Sequence, residues 1–345
     1  MNKPIICVIF GGKSQEYEVS LRSAYSVLNA LNEDKYQIVK IGITRQGSWY
    51  LYNGGNEQIL SDTWHKSPDL IEIALDFNSH SFILSDSGKR LKPDKVLIVM
   101  HGENSEDGRL QGCLDMAQIS YVGPGQDASA ICMNKYITKL VARDLGIRVA
   151  KDILVTRRGY SLSDIYEKTR KIGYPVFVKP TCAGSSVGVT RVENEAQLKS
   201  AIEKSLTFSP SALIEEAIQG VETEVAILEQ NQKIIAISTG QLSYKGEFYT
   251  YDEKYKNQKT EYIIPSKIDP KTEKSLRECS KNLFFALGLK ALSRLDFFVT
   301  PQNEIIFNEV NTLPGMTDIS MYPMLIKQSG ISFSQLLQAL LENFD

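Results

Sequence analysis

The chain has 345 residues, 42% of them hydrophobic and 23% charged, with a formal net charge of −2. Its length predicts two or three domains at roughly 100–200 residues each, and this composition excludes wholesale disorder. With no basic excess, a nucleic-acid backbone is a poor partner, although a local basic funnel for a small anion such as a nucleotide fits.

The first residues, Met-Asn-Lys-Pro, run straight into a strand-like segment without the apolar region or small-residue cleavage site of a signal peptide. No apolar stretch approaches the ~20 residues that span a bilayer. A cytoplasmic protein with no membrane partner is expected. The cysteines Cys7, Cys113, Cys132, Cys182 and Cys279 form no C-x-x-C pair, so they are expected as buried or partly buried free thiols rather than a disulfide framework. His65, His80 and His101 are too scattered for a zinc site.

Residues 5–10 form a continuous apolar run ending in Gly11-Gly12, the pattern of a buried parallel strand. Val19, Ala24, Val27, Leu28 and Leu31 follow at helical spacing. Strand, glycine turn and helix together open a doubly wound α/β domain. A second buried strand over 96–100 leads into the polar segment 101–108. Ligands in such folds collect where strand carboxyl ends open into loops, so segments 11–16 and 101–108 belong on one ligand-facing edge. Residues 53–92 are polar and weakly periodic, and give no clear elements.

Further on, 161–172 is predicted helical with Ser161 and Asp164 at its cap and Gly173-Tyr174-Pro175 at its end. A short strand over 176–179 follows, then a helix capped by Asn194, strands over 213–216 and 224–228, and a helix over 271–287. Strands over 292–299 and 304–310 flank a Pro-Gln-Asn turn, and an amphipathic helix covers 333–341. Gly12-Lys13-Ser14 resembles the tail of a P-loop, but Cys7 stands where that motif needs its first glycine. Any nucleotide is therefore held by something else.

The strongest constellation is Arg294-Leu295-Asp296 with Glu309-Val310-Asn311. A hairpin turn at 301–304 sets Asp296 opposite Glu309, with side chains on one sheet face about 5 Å apart. Asn311, two residues on, shares that face in a regular strand. Two opposed carboxylates repel unless a cation intervenes, and hard oxygen donors suit Mg²⁺. The alternative is an ordinary exposed acidic hairpin. Arg294 projects to the same face, where it suits developing anionic charge, although a surface ion pair is the commoner role of an arginine.

Lys179 at a strand end precedes a Gly/Ser loop over 180–188, whose glycines and consecutive N–H groups suit an anion nest; a plain flexible hairpin is the alternative. Lys135 is a second cation. Glu215 and Glu222 flank a hinge-like Glu216-Ala217-Ile218, where backbone can read an adenine edge and an acid can take ribose hydroxyls; taken singly, either glutamate is more often surface decoration. Residues 248–255, aromatic and charged, read as a lid loop that excludes water, or else as an edge strand with exposed tyrosines.

As a set, these segments resemble the D-alanine–D-alanine ligase family of the ATP-grasp superfamily. The matching residues are Gly11 through Ser20, His101-Gly102 with Glu106-Asp107-Gly108, Lys179-Pro180 through Gly188, Glu253-Lys254-Tyr255, Arg294 to Asp296, Asn308 through Ser320, and Tyr322-Pro323. They run in family order over nearly the whole chain. The resemblance implies an α/β fold with an N-terminal doubly wound parallel-sheet domain (1–125), then two α+β ATP-grasp lobes (126–217 and 218–345) holding ATP between them. It implies nucleotide contacts from Lys135, Lys179, Glu215, Glu222 and Lys254. Two Mg²⁺ or Mn²⁺ ions fall to Asp296, Glu309 and Asn311. The first D-alanine's ammonium falls to Glu16 with His101 nearby, and the second amino acid's carboxylate to Ser320. Glu16, Ser185 and Tyr255 match the trio that links the three domains' loops, and Arg294 with the Gly315 amide matches the oxyanion-stabilising pair. A homodimer is implied as well.

The implied reaction joins two D-alanines through an acyl phosphate for peptidoglycan precursor synthesis. The alternatives are a D-alanine–D-serine ligase or another ATP-grasp carboxylate–amine ligase. Asn134 stands where aspartate is commoner, Thr250 departs in the lid, and Glu103-Asn104-Ser105 and Asp318-Ile319 are unusual. Lys254-Tyr255 disfavours a D-lactate product. Met321, where D-serine users often carry arginine, favours D-alanine, whereas Tyr17 resembles the D-serine branch.

Overall fold

A computed structural model describes residues 3–243 and 261–342 of the chain. The apolar run at the start forms β1 (Ile5–Gly11), parallel to β2 (Gln37–Ile43) on one side and β7 (Lys95–Val99) on the other. Its two faces feed separate cores, Ile6, Val8 and Phe10 on one side and Cys7 and Ile9 on the other. This is why the strand is apolar at every position. α1 (Tyr17–Ala30) leaves the glycine turn and lays Tyr17, Leu21, Ala24 and Leu28 on the first of these cores.

The first sheet differs from a fully parallel one. It has eight strands, and the parallel part is limited to β2, β1, β7 and β8 (Tyr121–Val122). The weakly patterned stretch supplies an antiparallel extension: β3 (Trp49–Tyr52), α2 (Asn56–Leu60), β4 (Ile71–Asp76), β5 (Ser81–Leu84) and β6 (Arg90–Leu91). Its strands are short and only half-buried, so they carry none of the continuous apolar signal of β1. α3 (Arg109–Met116) follows the 101–108 loop.

α4 (Gln126–Met133) and α5 (Lys135–Asp144) come next, the Asn134 side chain accepting from the Tyr136 and Ile137 amides at 3.1 and 3.3 Å. An asparagine thus caps this helix as an aspartate would. A four-stranded antiparallel sheet in the order β11-β10-β12-β9 follows: β9 (Asp152–Thr156), β10 (Val176–Pro180), β11 (Thr190–Val192) and β12 (Ser211–Glu216). α6 (Leu162–Ile172) is capped by Ser161, as expected. Asn194 occupies the cap position of α7 (Glu195–Phe208), but its side chain makes no capping hydrogen bond, contrary to expectation.

The third sheet is antiparallel, in the order β15-β14-β13-β16-β17. Its strands are β13 (Val221–Gln230), β14 (Lys233–Ser243), β15 (Glu261–Ile263), β16 (Leu292–Val299) and β17 (Ile305–Asn311). The helix Pro270–Ala286 covers one face, packing Leu276, Leu283 and Phe284 on Val225, Leu295 and Phe297. Ala128, Cys132 and Ala142 of α4 and α5 join this core and not that of the four-stranded sheet. The last helices, Met321–Gln328 and Phe333–Glu342, turn back onto the first domain, where Tyr322, Leu325, Leu336 and Leu340 share a core with β1 and α1. That return brings the 311–320 loop against the first sheet's carboxyl edge.

All five cysteines are free. Cys113 corrects the expectation of buried thiols: it is exposed, because α3 turns Leu110, Gln111 and Leu114 inward. Among the described residues no helix is long and apolar enough to cross a membrane.

Candidate active site

The β16–β17 hairpin pairs Asp296 with Glu309 and Arg294 with Asn311, the register expected from the sequence. Beyond Asp296 the register slips, so that Phe297 pairs with Phe307 and Asn308 is the extra residue of a bulge. A one-residue slip exchanges faces. Phe307 therefore joins the core beside Phe297, while Glu309 and Asn311 keep the open face. Asn308 is turned to Lys179, whose Nζ lies 3.4 Å from its Oδ1.

On the open face Arg294 donates to both Asp296 oxygens at 2.8 Å and approaches Glu224 Oε2 at 2.9 Å. Glu224, on β13, is the cross-strand partner of Asp296. Burial alone would depress the guanidinium, but Asp296 and then Glu224 outweigh it and hold Arg294 well above its ordinary range. Asn311 Nδ2 donates to Asp296 Oδ2 at 2.8 Å. Glu309 pairs with Lys135 at 3.2 Å. Glu222, Glu224 and Asp296 also bring carboxylate oxygens within 4.8 Å of one another. The carboxylates of Glu222, Glu224, Asp296 and Glu309 and the Asn311 amide oxygen are hard donors, and this chemistry fits Mg²⁺ or Mn²⁺.

One cleft opens beside this face toward the first sheet, lined by Glu16, His101, Arg294, Gly315 and Ser320. The segments 11–16 and 101–108 do share its edge, Asn104 Nδ2 donating to Lys13 O at 3.0 Å. Ser185 Oγ donates to Glu16 Oε1, which joins the Gly/Ser loop to the first domain. The Glu16 carboxylate sits between Gly102 and Gly184, where a Cβ would lie 2.5 or 2.8 Å from Oε2. Neither position tolerates a side chain while Glu16 stays in place.

His101 is buried, its Nδ1 donating to Leu313 O at 3.0 Å and its Nε2 lying 3.0 Å from Ser23 Oγ. Ser23 Oγ accepts from the Met316 amide at 3.2 Å. The histidine thereby fixes the loop carrying Gly315. Burial disfavours its cationic form, but Glu106, 3.6 Å from Nδ1, and then Glu16 outweigh that and raise its pKa. Ser320 Oγ accepts from the Thr317 amide at 3.3 Å and bonds Thr317 Oγ1 at 2.7 Å.

A second cleft lies between the four- and five-stranded sheets, lined by Lys135, Lys179, Glu215, Glu222, Asn308 and Glu309. Glu215 is buried with both oxygens engaged, Oε2 by Lys179 at 2.8 Å and Oε1 by Lys139. Burial would raise this carboxyl, but Lys139 and Lys179 outweigh it and bring it down to about 2. Lys135 Nζ donates to Ala183 O at 2.8 Å, which ties α5 to the Gly/Ser loop. In that loop Ser185 and Ser186 are left-handed, with φ of 47° and 58°; such conformations are uncommon off glycine and cluster at ligand clamps. Lys135, Ser185 and Glu309 line both clefts, which therefore meet there.

The chain matches the D-ala D-ala ligase N-terminus over residues 5–124 and the D-ala D-ala ligase C-terminus over 141–342. It is 38% identical to a D-alanine–D-alanine ligase of Oceanobacillus iheyensis, over 99% of this chain and 94% of that one. The chain belongs to the D-alanine–D-alanine ligase family. Two solved structures of D-Ala–D-X ligases agree in fold along the chain. The VanG D-Ala:D-Ser ligase from Enterococcus faecalis gives a TM-score of 0.89 at 38% identity, covering 99% of both chains. The D-alanine-D-alanine ligase from Coxiella burnetii gives 0.88 at 31%, covering 99% of this chain and 94% of that one.

Of the residues that the family resemblance singled out, Lys254 and Tyr255 lie outside the described residues, as does the 248–255 segment read as a lid. The others line one or the other cleft, save Asp296, which is buried behind Arg294. Sequence reasoning gave three participants no role. Lys139 follows Lys135 by four residues, hence on the same helix face; Glu224 follows Glu222 by two, hence on the same strand face; Asn308 is exposed to the cleft only by the bulge. The first two spacings were readable signals.

Proposed function

We propose that this enzyme joins two D-alanines to D-alanyl-D-alanine with consumption of ATP, for peptidoglycan precursor synthesis. The observation that carries this reading is the meeting of the two clefts at Lys135, Ser185 and Glu309. An amino-acid carboxylate in one cleft then meets the terminal phosphate of a nucleotide in the other. The three-part division at 1–125, 126–217 and 218–345 is supported by a separate sheet in each part.

In this reading Glu16 binds the ammonium of the first D-alanine and directs its carboxylate to the junction. Lys135 and Lys179 balance phosphate charge as the γ-phosphoryl passes to that carboxylate, giving an acyl phosphate and ADP. Asp296, Glu309 and Asn311 would hold Mg²⁺ or Mn²⁺, two ions by family pattern, which would neutralise charge on the terminal phosphates. Ser320 holds the carboxylate of the second D-alanine, whose neutral amine attacks the acyl carbon. Arg294 and the Gly315 N–H steady the tetrahedral oxyanion. Phosphate leaves with the bonding pair, and the amide remains. By the family resemblance, Lys254 falls to the nucleotide and Tyr255 to the Glu16–Ser185 pair. Glu222 takes ribose hydroxyls in this reading, while Glu215 acts through its lysines.

A second reading, D-serine in the second position, is favoured by the likeness to the VanG D-Ala:D-Ser ligase. Met321 weighs against it. Its side chain is buried and lines the substrate cleft, so it offers a thioether and no strong hydrogen bond to a hydroxymethyl group. We further expect a cytoplasmic homodimer. The deciding experiment gives the full chain ATP, Mg²⁺ and D-alanine, alone and with equimolar D-serine or D-lactate, and reads products by mass spectrometry. D-alanyl-D-alanine should dominate every mixture. Dominant D-alanyl-D-serine would select the second reading, and ATP turnover without any dipeptide would dismiss both.

A further inference from the structure

Lys139 is 0% exposed, among the largest fully buried side chains, yet it carries an ammonium. Burying an ion is costly, and an apolar residue of similar volume is often no worse for stability. Its single ion-pair partner among the described residues is Glu215, itself 5% exposed, whose other oxygen holds Lys179. The three side chains line the cleft between the four- and five-stranded sheets. Two ammoniums share one carboxylate, so the cluster carries one surplus positive charge facing that cleft. Without Lys139, Glu215 would have Lys179 as its sole cation here and would cancel it.

We infer that Lys139 is a positioning residue for the nucleotide: by neutralising Glu215 it leaves the Lys179 charge for the phosphates. This rests on reading the cleft as the nucleotide site. Burial draws the Lys139 ammonium down to about 8, but Glu215 opposes that shift. The geometry also fixes position. Lys139 holds Oε1 of Glu215 from the α5 side, so Oε2 is presented to Lys179 at the strand end.

The test is ATP and ADP affinity by calorimetry on the full chain, with KM for ATP and for D-alanine measured separately. Lys139→Met should weaken nucleotide binding by at least about tenfold while KM for D-alanine moves less than about twofold. Lys139→Arg, which keeps the charge, should bind within about threefold of wild type. In a Glu215→Gln background Lys139 has no charge to neutralise, so adding Lys139→Met there should change affinity by less than about threefold. This last comparison holds even if Lys139→Met alone fails to fold. Wild-type affinity in a folded Lys139→Met protein, or a tenfold loss on adding Lys139→Met to Glu215→Gln, would overturn the inference. Wild-type protein that binds neither nucleotide would instead refute the reading of the cleft.

Discussion

Asp296 and Glu309 face each other across the β16–β17 hairpin, yet each carboxylate leans on a different cation, Asp296 on Arg294 and Glu309 on Lys135. Like charges directly opposed on neighbouring strands destabilise a sheet. The two basic residues offset that repulsion from opposite sides, one from the strand and one from α5. Between them lies a face of oxygen donors at the junction of the two clefts.

Arg294 is clamped by Asp296 and Glu224, so its guanidinium is aimed before substrate arrives. Lysine has no planar fork to match two carboxylates. Arg294→Lys should lower kcat about a hundredfold, the scale of losing an oxyanion donor, with little change in KM for D-alanine. Steady-state ADP release checks this. A raised KM at unchanged kcat would show that Arg294 binds substrate only in its ground state.

Ser185→Ala removes the hydrogen bond that the Ser185 hydroxyl donates to Glu16. A hydrogen bond to a charged group is worth about 1.5–3 kcal/mol. We expect kcat/KM for D-alanine to fall at least about tenfold, with ADP affinity by calorimetry unchanged.

The sequence made the hairpin register legible because both strands are apolar and a Pro-Gln-Asn turn separates them. The bulge was not legible. Ile305-Ile306-Phe307 is apolar throughout, so no polar alternation marks where Asn308 slips. The antiparallel extension was hidden because β3 to β6 are short and half-buried. The spacing sets Lys139 on one helix face with Lys135, but a lysine on a helix normally faces water, and its burial against Glu215 of β12 shows only in the fold.

Gly315→Ala places a Cβ 2.7 Å from Ser320 Oγ, closer than real contacts allow. The Ser320 hydroxyl must turn away from its place beside Thr317. KM for the second D-alanine should rise severalfold while KM for ATP stays constant, as read from D-alanine saturation curves.

Glu215, with an ordinary carboxyl value of 4.5, is held down to about 2. A depressed folded-state value contributes stability above pH 4.5 and loses it as pH falls toward 2. Denaturant titrations should therefore show wild type more stable than Glu215→Gln by a few kcal/mol at neutral pH. That difference should shrink steadily below about pH 4.5. A difference independent of pH would show that the carboxylate charge is not what stabilises the pair.

The most direct measurement is D-alanine-dependent ADP release by wild type and Glu309→Gln across a Mg²⁺ titration, with circular dichroism confirming that both are folded. Glutamine keeps the shape and removes the charge opposite Asp296. Glu309→Gln should lose at least about a hundredfold in turnover, and saturating Mg²⁺ should not restore it. Equal turnover by the two proteins at the same Mg²⁺ concentration would show that Glu309 holds no catalytic metal.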